Sequence, residues 1–162
     1  MTAALDAGHK DDALLAAIDA FLEREVRPVA RELDHADIWP AAIVDKMRAM
    51  GLFGCIIEER FGGLGLGAAA YARIIERISA VWMSLAGIIN SHLIMAALVQ
   101  RAGTDEQKRR YLPRFASGEL RGGLALTEPD CGTDLQAIRT AARRDGEHYV
   151  IDGTKTWISN GI

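Results

Sequence analysis

Thr127, Gly132, Thr133 and Ser159 are the residues of this chain best suited to holding a polar, phosphate-bearing group. They fall in two short segments, Ala125-Leu126-Thr127-Glu128-Pro129-Asp130-Cys131-Gly132-Thr133-Asp134 and Trp157-Ile158-Ser159-Asn160. The Thr127 and Ser159 hydroxyls can donate to or accept from a ring nitrogen or carbonyl. Gly132 lets the backbone approach a phosphate closely, and Thr133 can bond a phosphate oxygen. Trp157 offers a plane that can pack along an aromatic ring system. Together these types suit a flavin nucleotide. The acids beside them read differently. Asp134 would repel a phosphate, so it caps the turn or points away. Glu128, before Pro129, reads as structural rather than as a general base.

The elements that must position these residues change in character along the chain. Apolar residues Leu14, Leu15, Ile18, Phe21, Leu22 and Val26 predict a helix over 11–33, capped by Asp11 or Asp12 and kinked or restarted at Pro28. A second helix is predicted over 41–50, ended by Gly51. Four glycines between Gly62 and Gly67 mark a plain loop, since their spacing is neither G-x-G-x-x-G nor a P-loop. A third helix follows over 68–80. The 23 residues Ile78–Gln100 then carry no Lys, Arg, Asp or Glu. That length could span a bilayer, but Asn90, Ser91 and His92 at its centre favour a helix buried in a bundle. His92 reads as a satisfied core histidine. Thr104-Asp105-Glu106-Gln107 is a capping box opening one more helix, which Ser117-Gly118 stops.

After Gly122-Gly123 the pattern turns to strands, Ile138–Arg144, Glu147–Ile151 and Thr154–Ser159, separated by Asp145-Gly146 and Asp152-Gly153 turns. The fold class is therefore α+β. A helical domain over 1–121 is followed, over 122–162, by the first strands of an antiparallel barrel too small to close.

Composition excludes several classes. With 49% hydrophobic and 25% charged residues the chain can bury a core. A net charge of -3, with only the short basic pieces Lys108–Arg110 and Arg143-Arg144, gives no footprint for nucleic acid. Cys55 and Cys131 fit no ligand or redox spacing and read as free thiols in a reducing compartment. The first ten residues lack the basic and apolar regions of a secretory signal and, carrying acid and no Arg, do not suit a mitochondrial leader.

Leu124–Ala137 resembles the flavin segment of the acyl-CoA dehydrogenases, a small-aliphatic-Thr-Glu-Pro run, two variable residues, then Gly-Ser/Thr-Asp. Cys131 is a mild departure at a position usually filled by Ala, Ser or Gly. Asp152–Asn160 is similar to the family's second segment, Gly103–Lys108 with Tyr111-Leu112-Pro113 to its helix lead-in, and Phe61–Gly65 to its glycine loop. The resemblance covers residues 11–162. It implies FAD as cofactor and α,β-dehydrogenation of acyl-CoA, in which a carboxylate takes the α-proton and the β-hydrogen leaves as hydride to the flavin. Leu124, Leu126 and Thr127 would contact the flavin, Trp157, Ile158 and Ser159 would flank its ring, and Gly132 and Thr133 would lie near the phosphates, Thr133 also touching CoA. Ala86 and Asn90 would line the acyl pocket, and no Arg lies between Arg77 and Arg101 to partner a dicarboxyl substrate there. The resemblance puts the catalytic Glu in a C-terminal bundle beyond Ile162, so no base is assigned here. It implies an electron-transferring flavoprotein or similar acceptor, a homo-oligomer (dimer or tetramer), a role in fatty acid metabolism and, with the leader absent, a cytoplasmic location. Residues 1–162 alone would hold little FAD. An acyl-CoA oxidase, a flavin monooxygenase of the same fold, and a non-catalytic helical module are the alternatives.

Overall fold

A computed structural model describes residues 2–161, with side chains described from residue 12 onward. Helices come first and a single hairpin last. Helix α1 spans Thr2–Phe21 and α2 spans Arg27–His35, joined by a π-helical turn at Leu22–Val26. The first helix therefore starts well before Asp11 and Asp12, and Asp12 instead reaches Arg73, at 3.2 Å. The expected kink or restart at Pro28 takes the form of a restart: α2 begins at Arg27, directly after that wider turn. Proline lacks an N–H and its ring crowds the carbonyl four residues back. Here the Arg27 amide bonds Leu22 O, five residues back, and Pro28 sits in the first turn of α2.

Helix α3 spans Ala41–Ala49, buries Ile43, Val44 and Met47, and ends at Gly51 with φ 75°. The glycine loop is structural, as its spacing implied. Its amides at Leu64, Gly65 and Leu66 donate to Gly54, Ile57 and Cys55 carbonyls at 2.8–2.9 Å. Gly63 lies so close to the Ile57 carbonyl that a Cβ has no room.

The uncharged run is split. Trp82 is extended, φ -156°, so α4 covers Ala68–Val81 and α5 covers Met83–Ala102. The Trp82 indole donates to Asp34 at 2.7 Å, fixing the corner. Among the described residues α5 alone is long and apolar enough to cross a membrane. It is also the helix that joins two apolar clusters. Leu85, Ala86, Ile89 and Leu93 pack with α1 to α4, and Ala96 packs with Ile57, Leu112 and Phe115. Each fully buried Leu or Ile contributes roughly 1.5–3 kcal/mol. Helix α6, Asp105–Ala116, opens on the expected capping box: Thr104 Oγ1 accepts from the Gln107 amide and the Gln107 side chain accepts from the Thr104 amide.

The strand part departs most from expectation. β1, Ala141–Asp145, pairs antiparallel with β2, His148–Asp152, through a two-residue connection. β1 thus begins three residues later than expected, because the Arg139 and Thr140 amides are taken by Glu128. No third strand forms over 154–159. That stretch leaves the hairpin to bond residues 126 and 127, and Trp157 and Asn160 adopt φ near 60°, incompatible with a strand. Asp152-Gly153 is not a hairpin turn either; Gly153 carries the chain past Thr140 too closely for any Cβ.

Candidate functional site

The turn singled out in the sequence closes on itself. Glu128 and Cys131 exchange backbone hydrogen bonds of 2.9 and 3.2 Å over Pro129-Asp130. The Glu128 carboxylate is buried beneath it and accepts from the Arg139 amide (2.7 Å), the Thr140 amide (2.9 Å) and the Lys155 ammonium (2.9 Å). Lys155 foremost, then Thr140 and the Arg139 amide, hold this carboxyl at about 2. Such a group is a clamp and not a proton acceptor near neutrality, as its place before proline suggested. Asp134 also acts as expected, its carboxylate accepting from the Gln136 amide at 3.2 Å to cap a short 3-10 turn.

The second segment docks on the first. The Thr156 amide donates to Thr127 O at 3.0 Å, and Lys155 Nζ donates to Leu126 O at 3.0 Å. Asn160 Nδ2 ties the same stretch to Ile88 O on α5 and to Gly122 O, at 3.0 and 3.1 Å. Gly123 passes so near Ser159 that a Cβ would stand 2.5 Å from its carbonyl oxygen.

His92 anchors the start of this region. It is fully buried between Phe53 and Phe115, edge-on to both rings. Nδ1 accepts from the Gly122 amide at 3.1 Å, so the proton is assigned to Nε2, which faces Phe53 O at 3.0 Å and Phe115 O at 3.2 Å. Burial pushes its pKa down, keeping the ring neutral. It is the satisfied core histidine that its setting implied.

Beside the docked segments lies a cleft of about 910 Å³. Ser159 and Asn160 line one side; Met83, Ala86, Gly87, Ile88 and Asn90 of α5 line the other, with Ile75, Trp39 and Arg121 completing it. Asn90 accepts a hydrogen bond from the Tyr71 hydroxyl at 2.5 Å. The structure therefore brings three expected site residues, Ala86, Asn90 and Ser159, into one cleft. Leu124, Leu126, Thr127, Gly132, Thr133, Trp157 and Ile158 do not line it. They lie along the two docked segments: Gly132 and Thr133 exposed, Thr127 and Ile158 half-buried, and Trp157 93% exposed.

The donor set suits a flavin nucleotide. Among the described residues, the amides of Leu126, Thr127, Gly132, Thr133, Trp157, Ile158 and Ser159 donate to no protein acceptor. A Cβ on Gly132 would meet nothing within 4 Å, so the turn is open to an approaching group. The Thr156 hydroxyl is buried without a partner among the described residues. An exposed indole plane beside free amides and hydroxyls is what a ring with a phosphate tail requires.

Comparison with known proteins decides the lineage. Residues 9–119 match the acyl-CoA dehydrogenase N-terminal domain and residues 123–162 the acyl-CoA dehydrogenase middle domain. The chain belongs to the acyl-CoA dehydrogenase family. It is 39% identical over 142 residues to a short-chain specific acyl-CoA dehydrogenase of Clostridium acetobutylicum, covering 87% of this chain and 38% of that protein. It is 40% identical over 143 residues to an acryloyl-CoA reductase (NADH) of Anaerotignum propionicum, covering 87% and 36%. It superposes on a glutaryl-CoA dehydrogenase from Mycobacterium smegmatis solved in complex with FADH2, at a TM-score of 0.83 and 28% identity, covering 94% of this chain and 39% of that one. The chain thus spans well under half the length of these relatives.

Within this family frame, sequence reasoning missed Lys155, Asn160, Trp39 and Arg121. Lys155 and Asn160 act through contacts to carbonyls distant in sequence, which no local pattern reports. Trp39 precedes a proline in a helix-to-helix turn, and Arg121 stands alone between two loops. Neither carries a periodic or motif signal.

Proposed function

We propose that the protein carrying this chain oxidises acyl-CoA thioesters between Cα and Cβ, with FAD as its cofactor. The observation that carries the reading is the Thr156–Thr127 backbone bond. It sets the two hydroxyl-bearing segments side by side at the edge of an apolar cleft. Family membership and the relative described with FADH2 support it. When bound, FAD supplies a two-electron acceptor. The chain's own residues bind and orient. Leu124, Leu126 and Thr127 hold the ring by backbone and hydroxyl groups, and Trp157, Ile158 and Ser159 lie along it. Gly132 and Thr133 take the phosphates, and Thr133 also reaches the CoA moiety. Ala86 and Asn90 receive the acyl chain and keep water from it. Glu128 is excluded as base by its three donors and its low pKa; the base belongs to a part of the protein outside residues 1–162.

The same reading includes a division between residues 121 and 122, a homo-oligomer, an electron-transferring flavoprotein as acceptor, and a cytoplasmic setting suited to two free buried thiols. α5 serves it as a bundle helix rather than a membrane span. The 40%-identical acryloyl-CoA reductase favours one second reading, reduction of a 2-enoyl thioester at the same site. Incubation of the full-length holoprotein with a saturated acyl-CoA and an electron-accepting dye tests the proposal. A 2-enoyl thioester, two hydrogens lighter, is expected. Recovery of unchanged thioester from flavin-loaded protein refutes it.

A further inference from the structure

Arg121 occupies an unusual place. It is the sole charged residue among those lining the cleft. Its guanidinium carbon lies over the Trp39 ring, 5.0 Å from the centroid. Among the described residues no carboxylate lies within ion-pair distance of it. The ring positions the cation without neutralising it, since cation–π attraction leaves the in-plane N–H donors free. A planar fork of donors held at the wall of an otherwise neutral, largely apolar cleft matches a carboxylate.

We propose that Arg121 is a specificity-determining residue that pairs with an anionic end of the acyl group, so that the preferred thioester carries a second, terminal carboxylate. This rests on the reading of the cleft as an acyl-CoA site. The stretch of α5 that lines the cleft, between Met83 and Asn90, has no arginine, and the structure supplies one from the segment entering the β part. An alternative source of the anion is a CoA phosphate. The placement favours the acyl end: Gly132 and Thr133, the donors suited to phosphate, do not line this cleft, whereas Arg121 shares it with Ala86 and Asn90.

The experiment is calorimetric binding of two thioesters of equal carbon number, a mono-CoA ester of a dicarboxylic acid and its monocarboxylic counterpart, to the full-length holoprotein and its R121M and R121K variants. Charge-assisted hydrogen bonds predict a preference of roughly tenfold or more for the dicarboxylic ester in the wild type. R121M should erase that gap while changing the monocarboxylic affinity by less than about twofold, and R121K should restore part of it. Equal binding of the two esters by the wild type overturns the inference. So does an equal loss of both in R121M, which would assign the contact to the CoA phosphates, or binding of neither. Flavin reduction by the monocarboxylic ester, followed in parallel, separates this failure from failure of the acyl-CoA reading itself.

Discussion

Replacing His92 with leucine should cost the fold about 2–4 kcal/mol, a figure that follows from its partners. The Gly122 amide is buried and has Nδ1 as its acceptor, at 3.1 Å. Leucine fills the volume but leaves that amide without a partner, at about 1–3 kcal/mol. The Nε2 contact to Phe53 O at 3.0 Å is lost as well, adding about 1 kcal/mol. Phe115 O suffers less, since it also accepts from the Gly118 amide. Glutamine presents an acceptor and a donor in similar places, so H92Q should lose clearly less than H92L. Urea unfolding followed by far-UV circular dichroism measures both. The histidine also gives a pH signature. Its folded pKa lies below the ordinary value of 6.5, with burial the main cause. Below about 6.5 the unfolded chain takes up a proton that the folded ring refuses, so stability falls with acidification and is complete above that pH. H92Q should lack this component. A cost under about 0.5 kcal/mol for H92L, or equal damage in both variants, refutes the assignment of His92 as the anchor of residue 122.

Other perturbations follow from the docked segments. Glu128 has a folded pKa of about 2 against an ordinary 4.5, so its stabilisation is present above about 4.5 and lost as pH falls towards 2. E128Q should lower the melting temperature at neutral pH and remove that acid-side slope; an unchanged melting curve would contradict the clamp. G123A pushes a Cβ against Ser159 O and should spread the two segments apart, weakening FAD binding by titration while leaving helix content intact. Cys55 is buried, and burial pushes its thiol up to about 12. It should resist a thiol reagent at neutral pH until urea opens the fold; fast labelling of native protein would show otherwise.

The helical half was legible because its signals are local. The Thr104 capping box, the apolar stripes of α3 and α4 and the Gly51 stop each act within a few residues of themselves. The π turn before Pro28 was not, since proline reports a conflict but not how the helix resolves it. The third strand was misread for a related reason. Thr154–Ser159 alternates like a strand, yet its partners are residues 126 and 127, and that tertiary pairing overrode the local pattern. At the site, Thr127, Gly132 and Ser159 were visible as types in a motif. Arg121 and Trp39 became visible only when the fold set two loops against one cleft.

Anaerobic addition of a short-chain acyl-CoA to the full-length flavin-loaded protein, followed by visible absorbance, tests the central claim most directly. Prompt bleaching of the flavin in proportion to the thioester added is the predicted result. A flavin spectrum that stays oxidised across an acyl-CoA series, while dithionite bleaches it, would contradict the claim.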